Sequence, residues 1–244
     1  MNYSTEQLTE RWEAQRSIKN LMGKYANCVI LNREQDIFDL FWAKNHDDLS
    51  LGFNDGLYRG SEAVKGYYSA VRDRNALVAS LLQKRFPDVL GGMSEEEIYG
   101  IGPFKVKPLA CPVIEIAADF KTAKGLWYCQ GAYNEVETCG PVAHWTWGYF
   151  AVDFVRDGDN WYLWHLLYLN DVDCLCGQSW GKVPQPLPDL PEFAPLAVFH
   201  APAYTESKTL RELYSPNRPL IAAPRFPVPY DTFAHTFSYG GELS

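Results

Sequence analysis

No stretch of this chain reaches the roughly 20 consecutive apolar residues that a bilayer-crossing helix needs, so a membrane role is not expected. Basic runs are missing too: 22 Lys and Arg stand against 30 Asp and Glu, a formal charge of -8. An acidic surface repels phosphate backbones, so nucleic acid is not an expected partner. Met1-Asn2-Tyr3-Ser4 leads into a polar helix with no apolar signal-peptide core, so a cytoplasmic location is expected. There the six cysteines stay reduced. Cys28, Cys111 and Cys129 sit in apolar runs and read as small core residues. Cys174 and Cys176 form a lone C-x-C without the second ligand pair of a zinc site, so no metal is expected. The longest like-charge run, Glu95-Glu96-Glu97, reads as a solvated helix start.

What the chain has in quantity is apolar and aromatic residues. At 47% apolar it is globular, and its 8 Trp and 15 Tyr suit cores, subunit contacts and pockets for ring compounds. Ser4-Thr5-Glu6-Gln7 offers a helix start, and Leu8, Trp12, Ile18, Leu21, Met22 and Tyr25 recur at helical spacing over about 5–31, with a break expected near Gly23. A second helix is expected over about 33–44, a short hairpin around Asn54-Asp55-Gly56, and a helix capped by Ser61. Residues 73–106 read as a helical insertion, ended in part by Pro87 and reopened by the capping box Ser94-x-x-Glu97.

Strands then dominate, at 110–118, 125–137, 144–156 and 161–170, the last two joined by a tight turn at Asp157-Gly158-Asp159-Asn160. Helices first and long antiparallel strands second predict an α+β fold, with N-terminal helices packed on a curved, mainly antiparallel sheet as a cone-shaped barrel. The chain divides into a barrel domain over 1–181 and a proline-rich C-terminal arm over 182–244. A short helix is expected near Ser207–Leu213. The arm is expected to pack on the barrel or on a neighbouring subunit, closing the pocket in cis or in trans.

Three stretches carry a resemblance. They are Ile18-Lys-Asn-Leu-Met-Gly-Lys-Tyr25, then Cys111-Pro-Val-Ile-Glu-Ile-Ala-Ala-Asp119 with Thr122-Ala-Lys-Gly-Leu-Trp-Tyr128, and Phe154-Val-Arg-Asp-Gly-Asp-Asn-Trp161. Over about 8–171 the chain resembles the SnoaL-like branch of the nuclear transport factor two-like superfamily, which includes scytalone dehydratase and bile-acid 7α-dehydratase. The resemblance implies a deep apolar pocket and acid–base chemistry on hydrophobic ring compounds, with no metal or organic cofactor. Of the polar set it implies, Tyr25 is kept. Ile30 stands where these dehydratases carry an aspartate, Lys107 where they carry a base histidine, and Gly131 where an acid is placed.

Strand alternation supplies replacements. Trp127, Cys129, Gly131, Tyr133 and Glu135 share one face, which the resemblance makes the pocket face, with Gly131 leaving room for a ring. His144, Thr146, Gly148 and Phe150 share the next, and Trp164, Leu166, Tyr168 and Asn170 the last. His144 is the expected general base, because imidazole titrates near neutrality. The bland alternative is a strand-end histidine bonded to a loop carbonyl. Tyr25 and Tyr133 are candidate proton donors, and Lys107 a candidate base or oxyanion holder. Asn170, Tyr168, Trp127 and Phe150 are candidate substrate contacts. Asp171 and Asp173 are expected at the rim, and His165 as a satisfied core or interface histidine. Trp145, Trp147 and Tyr149 face outward and suit a homo-oligomer interface, dimer or trimer.

The leading expectation is a cofactor-independent lyase acting on a hydroxylated aromatic or polycyclic molecule, by dehydration or by carbon–carbon cleavage such as deformylation. The alternative is a non-catalytic protein that binds an apolar ligand.

Overall fold

The computed structural model describes residues 3–180, 186–219 and 224–241, apart from the side chains of 95 and 96. The expected boundary at 181–182, the start of the proline-rich run at 183–185, and Met1-Asn2 lie outside the described residues, as does the solvated reading of two of the three Glu95–Glu97 side chains.

Helix α1 (Thr5–Ile30) starts at a reciprocal capping box. Gln7 N donates to Ser4 Oγ at 3.2 Å, and Ser4 N donates to Gln7 Oε1 at 3.0 Å. It runs unbroken through Gly23, against the expected break. Ala14, Ile18, Met22, Tyr25 and Val29 are buried at three- and four-residue spacing. Leu8 and Trp12 fall off that stripe, Trp12 with 75% of its surface exposed. A 3₁₀ turn (Glu34–Asp36) and α2 (Ile37–Phe41) follow, shorter than expected. Then come the expected hairpin of β1 (Ser50–Phe53) and β2 (Gly56–Arg59), and the long α3 (Ser61–Arg85). The insertion comprises the end of α3, α4 (Pro87–Leu90) and α5 (Glu95–Ile98), and builds its own small core from Val78, Leu82, Leu90 and Ile98.

The sheet is completed by β3 (Phe104–Val106), β4 (Leu109–Ile116), β5 (Thr122–Glu137), β6 (Gly140–Asp157), β7 (Asn160–Leu175) and β8 (Glu206–Ser207). Its order is β3-β5-β6-β7-β1-β2-β8, with β4 also on β5. Only β1 and β7 run parallel. The sheet curves without closing, and α1 and α3 pack on its inner face around the main core. This is the α+β class and layout expected from the strand pattern. Cys111 departs from its core reading and is exposed, beside a bulge in β4.

Two β-bulges in β7 reorder its side chains, since one extra residue reverses which face later residues take. Trp147 pairs with Val172 and Gly148 with Asn170, so Asp171 is the extra residue and Asn170 and Asp173 share the inner face. Asp173 is therefore a strand residue of the wall and not a rim residue, because β7 continues to Leu175. The second bulge removes Trp164 from the expected pocket face, and it stacks on His165 and packs at a tilt against Phe233 instead, centroids 4.5 and 4.4 Å away.

The described residues of the arm follow the barrel rim of their own chain. Its expected helix near 207–213 is replaced by β8, paired with β2, and by a segment donating from Leu210 N to Asn54 O (2.7 Å) and from Tyr214 N to Asp171 O (2.6 Å). Pro202 and Pro216 flank this segment, and its backbone groups take their partners from the barrel. Residues 224–241 continue over the outer face of the sheet. There Lys124, Asp153 and His165 form one row across β5, β6 and β7. His165 is the satisfied core histidine expected, with Nδ1 2.9 Å from Asp153 Oδ2 and Nε2 3.1 Å from Asp48 O. Elsewhere on that face Trp145 stays 47% exposed.

Candidate active site

A cavity of about 900 Å³ lies between the inner sheet face, α1, α3 and the arm. Tyr25, Lys107, Tyr133, His144, Phe150, Tyr168 and Asn170 all line it. Trp127, expected among them, does not. It is buried in the main core, edge-on to Phe154 at 6.0 Å, because it sits nearer the closed end of the sheet, where the helices fill the inner face.

The sheet sets the polar wall. Tyr133 and His144 are direct cross-strand partners, and their rings stack at 4.6 Å and 10°. Cross-strand neighbours this close fix one another's rotamers. Asp173, brought inward by the bulge, accepts from both. His144 Nδ1 is 2.8 Å from Asp173 Oδ1, and Tyr133 Oη donates to the two carboxylate oxygens at 2.8 and 2.9 Å. A carboxylate only accepts, so Nδ1 carries the proton and Nε2 is the basic nitrogen. Nε2 is buried and has no hydrogen-bond partner among the described residues; Glu137 Oε1 is 3.9 Å away. The hydrogen bond to Asp173 raises the His144 pKa above its ordinary 6.5, outweighing burial.

Tyr133 is thereby committed to the wall. Its proton is engaged by Asp173, and burial together with that carboxylate holds its pKa far above the ordinary tyrosine value. Tyr25 differs. Trp42 Nε1 donates to Tyr68 Oη at 3.3 Å, and the Tyr68 hydroxyl is hydrogen-bonded in turn to that of Tyr25. Burial raises the Tyr25 pKa, so the phenol stays protonated and acts as a hydrogen-bond donor. Tyr168 stacks on Phe150 at 4.6 Å, and its hydroxyl lies 3.2 Å from Thr146 Oγ1, which donates to Asn170 Oδ1 at 2.8 Å. Asn170 is fixed further by Asn54, whose side-chain amide exchanges two hydrogen bonds with its backbone at 2.8 and 2.9 Å.

Lys107 stands over the Tyr168 ring, Nζ 4.0 Å from the centroid, and burial lowers its pKa. Its place depends on Gly131. A Cβ at Gly131 would lie 2.2 Å from Val106 O and 3.4 Å from Lys107 Cα. The space that glycine leaves is filled by backbone and not by a ligand ring, contrary to expectation. Gly131→Ala is expected to push the 106–107 backbone away, destabilise the fold by about 1–3 kcal/mol, and lower ligand affinity. A thermal melt and a ligand titration check this; an unchanged melt would show that the strands yield freely.

Sequence reasoning missed several wall residues. Asp173 was hidden by the bulge. Glu34, buried with Oε2 unpartnered among the described residues and Oε1 2.6 Å from Lys105 Nζ, comes from a turn read as helix. Tyr204 and Arg211 come from the arm, where Arg211 Nε donates to Asp171 Oδ1 at 2.7 Å. The arm's ring-rich composition was the only sequence signal for that role.

No protein-family model matches this chain, and no curated protein matches it in sequence. Solved structures with some likeness include the hexachlorocyclohexane dehydrochlorinase LinA-type3 from Novosphingobium barchaimii, at 11% identity over 72% of this chain and 99% of that one, TM-score 0.45. Kfla4162 from Kribbella flavida matches at 18% identity over 65% and 91%, TM-score 0.44. Aln2 from a Streptomyces species matches at 11% identity over 65% and 91%, TM-score 0.43.

Proposed function

We propose that this protein is a cofactor-independent lyase acting by acid–base chemistry on a hydroxylated, hydrophobic ring compound. The observation that carries the reading is the His144–Asp173 pair, with a basic Nε2 unpartnered among the described residues, in the wall of a cavity lined by aromatic rings and charged side chains. His144 takes a proton from the substrate carbon and returns it to the departing hydroxyl, so one imidazole serves as base and then as acid. Asp173 holds the tautomer and stabilises the imidazolium. Lys107 faces the charge that develops on a substrate oxygen, and the Tyr25 phenol donates a hydrogen bond. The same groups can cleave a carbon–carbon bond beside a hydroxyl, releasing formaldehyde from a hydroxymethyl arm. A mass-spectrometric screen of hydroxylated aromatic and polycyclic compounds tests the proposal, loss of water or of formaldehyde being the positive result.

One observation favours a non-catalytic binding protein instead: Nε2 is buried, so a ligand must displace part of the wall to reach it. Tight binding of screen compounds with no turnover would establish that alternative.

The lyase reading carries a pH signature. Only unprotonated His144 is a base, so kcat/KM should fall on the acid side through a pKa above 6.5. Asp173→Asn removes the charge that raises it, and should move that limb to lower pH while reducing the rate. For stability the sign runs the other way. The raised His144 pKa contributes stability fully present below 6.5 and lost as pH rises through the folded-state pKa. Identical acid limbs in the parent and Asp173→Asn would remove His144 as the titrating base.

A further inference from the structure

The charged groups of the cavity wall are unequal in one respect. Lys105 is paired with Glu34 at 2.6 Å, Arg211 with Asp171 and Arg218 with Glu212. Lys107 has no ion pair or hydrogen bond among the described residues. Its nearest defined contacts are ring faces, Tyr168 at 4.0 Å and Tyr133 at 5.9 Å. A cation that only had to complete the fold would gain by pairing, as its neighbours do. Desolvation outweighs the pull of Cys129 and of the more distant carboxylates Glu135, Asp173 and Glu34, and so favours the neutral amine, which is the nucleophilic form. The Tyr133 ring beside it is the one stacked on His144, so a base stands one ring layer away.

We propose that Lys107 is a nucleophile that condenses with the carbonyl carbon of a β-hydroxy aldehyde or ketone, one with a C–H between the two groups and an aromatic ring lying against Tyr168, so that the protein's substrates are hydroxylated carbonyl compounds. The inference rests on the lyase reading of the same cavity, and adds a covalent step and a substrate class to it. The Nζ lone pair forms the carbon–nitrogen bond, and the carbonyl oxygen takes up a proton to give a carbinolamine. Loss of that oxygen as water leaves a protonated imine. His144 Nε2 then removes the adjacent C–H proton, whose electron pair moves into the imine to form an enamine. Expulsion of a hydroxyl from the next carbon, with the proton returned from His144, gives an unsaturated imine. Addition of water releases the unsaturated carbonyl product and restores the amine. Water is lost once in forming the imine and regained at its hydrolysis, so the net change is loss of one water, with no oxidant or reductant.

The test is reductive trapping of the full chain with 2-naphthaldehyde and cyanoborohydride at mildly acidic pH, where exposed lysines stay protonated. Adducts are then located by peptide mass spectrometry. The expected result is a dominant adduct on Lys107, lost in Lys107→Met and Lys107→Arg and retained in His144→Gln. Lys107→Arg keeps the positive charge without a condensing amine, and is expected to lose turnover of any substrate found in the screen. Labelling confined to other lysines overturns the covalent role. So does parent-like turnover by Lys107→Arg, which would leave the lyase reading standing with Lys107 as a charge alone. Should Lys107→Met not fold, as read by circular dichroism, the Lys107→Arg comparison decides.

Discussion

Asp153→Ala is expected to destabilise the protein by about 3–5 kcal/mol, the usual consequence of stripping one partner from a buried ion pair. The residue lies far from the cavity, at the centre of the row on the outer face. Its Oδ1 accepts from Lys124 Nζ at 2.5 Å, both side chains being fully buried. Its Oδ2 lies 2.9 Å from His165 Nδ1 and accepts from Ser238 Oγ at 3.1 Å and Tyr239 N at 2.8 Å. Tail rings roof the ammonium, Phe237 and Phe233 lying 4.5 and 4.7 Å from Nζ. Rings alone cannot replace a carboxylate, and burial lowers the Lys124 pKa even with Asp153 present. Removing Asp153 therefore leaves an uncompensated cation and several unsatisfied donors in one place.

The loss should appear in thermal melts as a fall on the order of 10 °C for a chain of this size. Proteolysis should then begin in the tail, since Ser238 and Tyr239 lose their anchor. Lys124→Met combined with Asp153→Asn should be less harmful, because it removes the stranded charge and keeps an acceptor for Tyr239 N. A single-variant cost below about 1 kcal/mol, the range of an exposed pair, would mean that water reaches the row.

His144→Gln should reduce kcat/KM by about 10²–10⁴-fold, the span a positioned general base supplies, with a much smaller change in stability. Glutamine can still donate to Asp173, so the Tyr133–Asp173 bonds have no reason to break. What is lost is the proton-accepting nitrogen. Asp173→Asn should lower the rate less, because the imidazole survives while its orientation and charge support weaken. Tyr133→Phe, which removes one of the two donors to Asp173, should act in the same direction and more weakly. A His144→Gln protein that turns over substrate at the parent rate would take the imidazole out of the mechanism. The Lys107 trapping experiment would be unaffected by that result.

Strand β7 shows most clearly where local pattern stops being informative. Alternation along 164–170 correctly placed Tyr168 and Asn170 on the inner face, because a half-buried strand repeats every two residues. It could not place Asp173 or Trp164, since each lies at or beyond a bulge, and a bulge has no local sequence signature here. Trp127 failed for a different reason. It is on the correct face, but whether a position on that face meets ligand space or packed helix depends on how far α1 and α3 reach across the sheet. Gly131 failed because its neighbour is a backbone segment some two dozen residues away in sequence.

The sequence by itself determined the α+β class, the order of the long helices and long strands, the inward-facing tyrosines and His144, since periodicity and turn chemistry act over a few residues. Only the tertiary structure decided that Asp173 pairs with His144, that Lys107 has no ion pair among the described residues, that Tyr204 and Arg211 of the arm line the cavity, and that Lys124, Asp153 and His165 form one buried row. Each of these is a meeting of side chains brought together by register, bulge and chain crossing. No short-range pattern carries that information.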